Sequence, residues 1–281
     1  MSNFFFLTNI SRFSPDLKRY SGENALVLAD CARLAYEPEA VVKSKLSGEW
    51  HFPAEQVRCF SGRSTQAFIA ANQRCVILAF RGTEFTRIAD WFRNLDADFE
   101  LTALGRVHDG FHKALQEVWS SEQGVKAAIE RFRDRGQPIW VTGHSLGGAL
   151  ALLAAAELEL RLATPVHGLY TIGQPRVGDE FFLRAVNRAL SERYYRFVNN
   201  NDVVTRVPAS VYGYRHAGRL LYFDTQERLL DRLPWWLETL EAVRGTVKGL
   251  RQLQPDVIGD HGTAEYVRLI EKNRAVATRW S

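Results

Sequence analysis

Residues 138–148 read Pro-Ile-Trp-Val-Thr-Gly-His-Ser-Leu-Gly-Gly, an apolar run that closes on a serine set among glycines. Gly143-His144-Ser145-Leu146-Gly147 fits the G-x-S-x-G pattern of a nucleophile elbow, where small residues flank the serine because the backbone turns too sharply for side chains. The apolar residues 139–141 predict a buried strand before the turn, and the alanines and leucines of 149–162 predict a helix after it. Ser145 is therefore expected at the apex of a strand-turn-helix, above the end of a sheet. A serine placed there can attack an acyl carbon. The alternative, a glycine-rich helix start with an ordinary surface serine, does not account for the preceding strand or the further glycine at 148.

A serine hydroxyl is a poor nucleophile until a base takes its proton, and the base needs a third group to fix its tautomer. After an elbow of this type the chain order is serine, acid, histidine. His216 and His261 lie late enough. His261, in the loop Gly259-Asp260-His261-Gly262 ahead of a predicted C-terminal helix over 264–270, can overhang the sheet, whereas His216 leads into a strand and is expected to be a hydrogen-bonded structural residue. For the acid, Asp202 follows the predicted strand 194–198 and the turn Asn199-Asn200-Asn201, which puts it at a carboxyl-terminal strand end. Asp179 reads better as a helix N-cap, and Asp224 as the end of a peripheral strand. The oxyanion formed on attack needs preset donors: the main-chain N–H of Leu146 from the elbow, and Thr83 from the loop after a central strand.

A competing chemistry is offered by His108-Asp109-Gly110-Phe111-His112, which mimics the H-E-x-x-H zinc pattern with Asp for Glu. Gly110 breaks the helical turn that would align the two rings, and no third ligand is apparent, so neither a metal nor any other cofactor is expected.

Such residues need a scaffold that brings distant loops together. Residues 22–36 carry Ala25, Leu26, Leu28, Ala29, Ala32, Leu34 and Ala35 at near-helical spacing and predict an amphipathic helix packed on a sheet. Residues 56–60, 65–71 and 74–80 predict an antiparallel meander whose third strand, apolar from Cys75 to Phe80, is central. Helices are expected over 110–119, 124–132 and 180–190, and strands over 167–172, 194–198 and 219–223. Strands alternating with helices through this half imply right-handed crossovers and a mainly parallel sheet.

Two segments fall outside this plan. Residues 85–95 place Ile88, Trp91, Phe92 and Leu95 on one helical face beside a turn, an arrangement suited to a lid. Residues 231–253 repeat Trp236, Leu240, Val243, Val247 and Leu250 at heptad-like intervals opposite a charged face. That segment is either an outer helix docked on the core or an interfacial helix whose Trp235 and Trp236 sit among lipid headgroups.

Composition bounds the class. A chain of 281 residues with 46% apolar and 24% charged content, free of repeats and low-complexity tracts, is an ordinary globular protein, read here as one domain over 1–281. The net charge of +4 is too small and too dispersed for nucleic-acid binding. Cys31, Cys59 and Cys75 are odd in number and share no ligand spacing, so three reduced thiols are expected and not a disulfide scaffold. Residues 1–10 lack a basic leader and no window reaches the roughly 20 apolar residues of a membrane span, so a cytoplasmic protein, or one exported without a signal, is expected.

Taken in order, several short stretches resemble the class 3 lipase family, the fungal-type triacylglycerol lipases. They are Phe80-Arg81-Gly82-Thr83, Ala89-Asp90-Trp91, Asn94-Leu95-Asp96, Val107-His108-Asp109-Gly110-Phe111, the elbow, Gly173-Gln174-Pro175-Arg176-Val177-Gly178, Asn200-Asn201-Asp202 with Val207-Pro208, and Asp260-His261. The resemblance spans about residues 22–275 and implies an α/β-hydrolase fold, Ser145 as nucleophile, Asp202 as acid, His261 as base, Thr83 and Leu146 as oxyanion donors, and 85–95 as the lid. The expected activity is hydrolysis of carboxylic esters of acylglycerol-type lipids, with peripheral contact to the lipid surface. The same triad serves a phospholipase A or a soluble-ester esterase, and a non-catalytic lipid-surface binder is the reading from another class.

Overall fold

The computed structural model describes residues 10–83, 98–200, 202–232 and 260–279. In chain order, α1 (Gly22–Leu34) and α2 (Glu39–Lys43) precede the strands β1 (Val57–Ser61), β2 (Gln66–Ala71) and β3 (Val76–Phe80). A hairpin of β4 (Phe99–Thr102) and β5 (Gly105–His108) leads into α3 (Asp109–Trp119) and α4 (Val125–Phe132). Next come β6 (Ile139–His144), α5 (Leu146–Ala156), β7 (Val166–Ile172), α6 (Glu180–Leu190) and β8 (Tyr194–Asn199). The described residues close with β9 (Arg219–Phe223), β10 (Leu229–Leu230) and α7 (Thr263–Asn273).

One sheet takes the order β1-β2-β3-β6-β7-β8-β9-β10. The strands from β3 through β6, β7 and β8 to β9 pair in parallel, while β1, β2 and β10 join antiparallel at the two edges. All five parallel strands end on the same side, so the turns after Phe80, His144, Ile172, Asn199 and Phe223 gather there.

Alternation along the strands explains why the central ones are apolar throughout. Val76, Leu78 and Phe80 join Val141 and Leu169 in a core closed by Leu115, Ile129, Leu150 and Val186 from α3 to α6. Ile77 and Ala79 join Trp140, Tyr170 and Phe197 in a second core closed by Leu26 and Leu28 of α1 and Val267 and Ile270 of α7. With both faces covered, successive side chains are all buried.

Some expectations need correction. The helix over 22–36 ends at Leu34 and is buried nearly all round, because α7 covers the side away from the sheet; Asp30 and Arg33, paired at 3.0 Å, neutralise each other there. The helix after the elbow is regular only to Ala156 and continues as a π-helical turn over Glu157–Arg161. The β4-β5 hairpin was not foreseen. Cys31 and Cys75 are buried and Cys59 partly so, all three unpaired. The expected lid with Ile88, Trp91, Phe92 and Leu95, and Trp235 and Trp236 of 231–253, lie outside the described residues. No helix among the described residues is long and apolar enough to cross a membrane.

Candidate active site

The elbow forms where β6 meets α5. Ser145 has φ 57° and ψ −129°, a region that side chains rarely enter and that persists only when the surroundings impose it. What imposes it is close backbone packing: a Cβ on Gly143 would collide with the carbonyl of Gly147, and one on Gly147 with the carbonyl of Phe80 at the end of β3. The N–H of Ser145 donates to the carbonyl of Ile172 at 2.9 Å, which ties the turn to the end of β7. All eleven residues of α5 are buried, so the helix cannot drift from the sheet.

Asp202 lies just past β8, where its N–H donates to the carbonyl of Asn199 at 3.1 Å. Its Oδ1 accepts from the N–H of Val204 at 2.9 Å; its Oδ2 accepts from His261 Nδ1 at 2.8 Å and from the Tyr266 hydroxyl at 2.6 Å. A buried carboxylate needs such donors to remain charged. Burial first, and the carboxylate second, push the Tyr266 phenol well above its ordinary range, so it serves as a donor. The Asn199 amide holds the His261 loop by donating to the carbonyl of Asp260 at 3.0 Å. Gly173, at φ +57°, makes room: a Cβ there would stand 2.9 Å from Asp202 Oδ2 and from the His261 ring.

Ser145, Asp202 and His261 are all fully buried. Among the described residues, Ser145 Oγ and His261 Nε2 have no hydrogen-bond partner. Leaving a buried polar atom unpaired costs about 1–3 kcal/mol, and native structures contain few such atoms. Here both occur in one place: His144, adjoining Ser145, sets its ring 4.4 Å, centroid to centroid, from that of His261. The arrangement offers a hydroxyl and a ring nitrogen for a reacting ester and leaves the opposite ring nitrogen on a carboxylate.

The remaining expected residues sort cleanly. Leu146 is the first residue of α5, where a main-chain N–H has no intrahelical acceptor. Thr83 follows Gly82, whose Cα packs so closely on the elbow that a Cβ there would be 3.0 Å from Ser145 Cβ. Asp179 caps α6, accepting from Phe182 N–H at 3.0 Å, and Asp224 pairs with Arg228 at the β9-β10 turn. His216 Nε2 lies 2.7 Å from the carbonyl of Thr205. In the zinc-like stretch Gly110 does not break the helix, which begins at Asp109; the two rings are separated because His108 lies before it, stacked on Phe111, while His112 faces Glu100 at 3.8 Å.

Sequence reading missed three side chains at the site: Tyr266, His144 and Tyr36. Tyr266 carries no local signal, since only the docking of α7 brings it to Asp202. His144 occupies a variable place in the elbow pattern, and Tyr36 lies 108 residues before it.

Residues 77–212 match the family described as Lipase (class 3). A triacylglycerol lipase of Arabidopsis thaliana is 30% identical over 247 residues, covering 69% of this chain and 48% of that protein. The chain spans about half the length of the curated relatives it matches. Among solved structures, the lipase of Rhizomucor miehei in its propeptide complex is similar with a TM-score of 0.55 and 28% identity, covering 72% of this chain and 69% of that one. Another, described as a triacylglycerol lipase whose catalytic centre is a serine protease triad, gives a TM-score of 0.55 and 27% identity over 72% of this chain and 81% of that one.

Proposed function

We propose that this chain, whose residues 77–212 match the class 3 lipase family, is a hydrolase of that family with the α/β-hydrolase fold of its structural neighbours, cleaving carboxylic esters with Ser145 as nucleophile. The observation that carries the reading is the buried pair of atoms without a partner among the described residues, Ser145 Oγ and His261 Nε2, with His261 Nδ1 fixed 2.8 Å from Asp202.

The chemistry follows from those positions. Asp202 accepts the Nδ1 proton, so the neutral ring presents Nε2 as a base. Ser145 Oγ bonds to the ester carbonyl carbon while its proton passes to Nε2. The N–H groups of Leu146 and Thr83 receive the oxyanion, an electrostatic contribution of about 3 kcal/mol per donor. The carbon–oxygen bond to the alcohol then breaks, and His261 returns the proton to the departing oxygen. Water attacks the acyl-enzyme by the same route and frees the acid and Ser145.

The substrate class within this reading is the acylglycerol-type lipid, supported by the activities for which the relatives are named. Residues 85–95, with Ile88, Trp91, Phe92 and Leu95, would cover the site between turnovers, and Trp235 and Trp236 would rest in a lipid surface; both assignments draw on sequence pattern alone. The reading treats 1–281 as a single catalytic unit.

A fluorophosphonate should label the wild-type protein at Ser145, and Ser145→Ala should abolish both labelling and p-nitrophenyl ester turnover. Wild-type turnover in that variant would remove the proposal. A series of esters below and above their solubility limit separates a lipase, whose rate jumps on emulsions, from a soluble-ester esterase. Vesicle binding unchanged by Trp235→Ala with Trp236→Ala would remove the interfacial role of that segment.

A further inference from the structure

The side chain between the elbow's first glycine and its serine does not face the substrate. His144 is buried, its Nε2 lies 2.6 Å from the main-chain oxygen of His261, and its Nδ1 lies 2.8 Å from the hydroxyl of Tyr36. A carbonyl oxygen only accepts, so Nε2 carries a proton and donates it. Nδ1 of a neutral ring then accepts, and Tyr36 is the donor. Gly82, one residue before Thr83, packs on the same Tyr36 oxygen, where an added Cβ would collide with it.

The hydrogen bonds thus run in one direction, from the Tyr36 hydroxyl to His144 Nδ1 and from His144 Nε2–H to the carbonyl of His261. Burial, and after it the neighbouring His261, holds His144 well below the ordinary histidine range and keeps it neutral, as this direction requires. Burial likewise pushes the Tyr36 phenol above its ordinary range, so it keeps the proton it gives. Arg81 covers the Tyr36 ring, its guanidinium carbon 5.6 Å from the ring centre.

We infer that Tyr36 and His144 are positioning residues for the base: through one directed pair of hydrogen bonds they clamp the main chain of His261 to the wall of the oxyanion loop, and so fix the height of its ring above Ser145. This rests on the function proposed above. The carboxylate orients the ring about its own bonds, but Asp202 and Tyr266 do not restrain the His261 carbonyl; His144 does. Without the Tyr36 proton, His144 can adopt the other tautomer, turning a nitrogen lone pair against the carbonyl it should hold.

The test begins with fluorophosphonate labelling of the wild type, because failure to label Ser145 would overturn the hydrolase reading itself and not this inference. Given labelling, Tyr36→Phe should slow it about tenfold, the rate equivalent of one buried hydrogen bond, and lower kcat for a soluble p-nitrophenyl ester by the same factor with KM within about twofold. His144→Phe, which removes both bonds, should cost about a hundredfold. His144→Gln, which keeps an N–H for the His261 carbonyl, should recover about tenfold of that loss. In the His144→Phe background, Tyr36→Phe should cost nothing further. The inference is overturned if Tyr36→Phe labels at the wild-type rate while melting earlier, or if the two single losses multiply in the double variant. It is also overturned if His144→Gln and His144→Phe are equally slow.

Discussion

His216, in the connection between β8 and β9, turns Nε2 to the main-chain oxygen of Thr205 at 2.7 Å, whereas His261, in the loop before α7, turns Nδ1 to the carboxylate of Asp202 at 2.8 Å. Burial, with Arg196 and Arg176 nearby, holds His216 well below the ordinary histidine range, so its ring stays neutral and donates to a carbonyl. A ring in that setting cannot hold a proton in transit. Beside His261 stands a carboxylate that favours the imidazolium as it forms. The two residues follow the elbow in the same chain, His261 fully buried and His216 partly so. Their difference includes the group facing one ring nitrogen, which suits His216 to a strut and His261 to the base proposed above.

The comparison breaks first at the carboxylate. Asp202→Asn keeps the shape but reverses the donor, so esterase kcat should fall about 10⁴-fold, and His261→Ala should fall at least as far. Retention of more than a tenth of wild-type kcat in either would deny that the His261 loop holds the base. A smaller loss is expected for Gly173→Ala, whose added carbon meets Asp202 Oδ2 and the His261 ring at 2.9 Å on a left-handed backbone; roughly a hundredfold in kcat is predicted, against an unchanged rate if the contact is not felt. Tyr266→Phe leaves Asp202 with its His261 and Val204 donors and should lower kcat about tenfold, read in a steady-state assay of the purified variant.

The smallest effect sharpens the other half of the comparison. His216→Gln should leave esterase activity within about twofold and act on stability against acid instead. His216 and His144 have folded pKa values below their unfolded ones, so the unfolded chain takes up protons that the folded one refuses. Their contribution is complete above about pH 6.5 and is lost as the pH falls below it, by up to ~1.4 kcal/mol per pH unit for each histidine. His216→Gln should therefore flatten the fall in melting temperature between about pH 6.5 and 5, and an unaltered slope would show that His216 already titrates freely in the folded state.

Much of the site was legible because its parts are encoded locally. Gly143, Gly147 and Gly148 announce a turn that only glycines can flank, and the carbonyls of Gly147 and Phe80 supply the crowding that the pattern implies. Asp202 and His261 were found by strand ends and chain order, which depend on short-range signals on either side. The β4-β5 hairpin was not legible, because four-residue strands flanking a turn give too little alternation to read. The extent of α1 burial was missed for another reason: Asn24, Asp30 and Arg33 look like a solvated face in a sequence, yet Asn24 is buried against Ser14, and Asp30 and Arg33 are buried as a pair on a helix that α7 packs against.

What the sequence determined by itself was the turn, the alternation of strand and helix that makes a parallel sheet, and the order in which serine, acid and histidine arrive. These follow from steric limits on a few backbone angles and from the periodicity of apolar residues, both of which act between neighbours along the chain. Only the tertiary structure decided that Tyr266 joins Asp202 from α7, and that Tyr36 and His144 reach the back of His261. Those choices depend on which loops the sheet gathers at its carboxyl end. Hydrogen bonds between groups far apart in sequence depend on directions and distances of tenths of an ångström that no local pattern records.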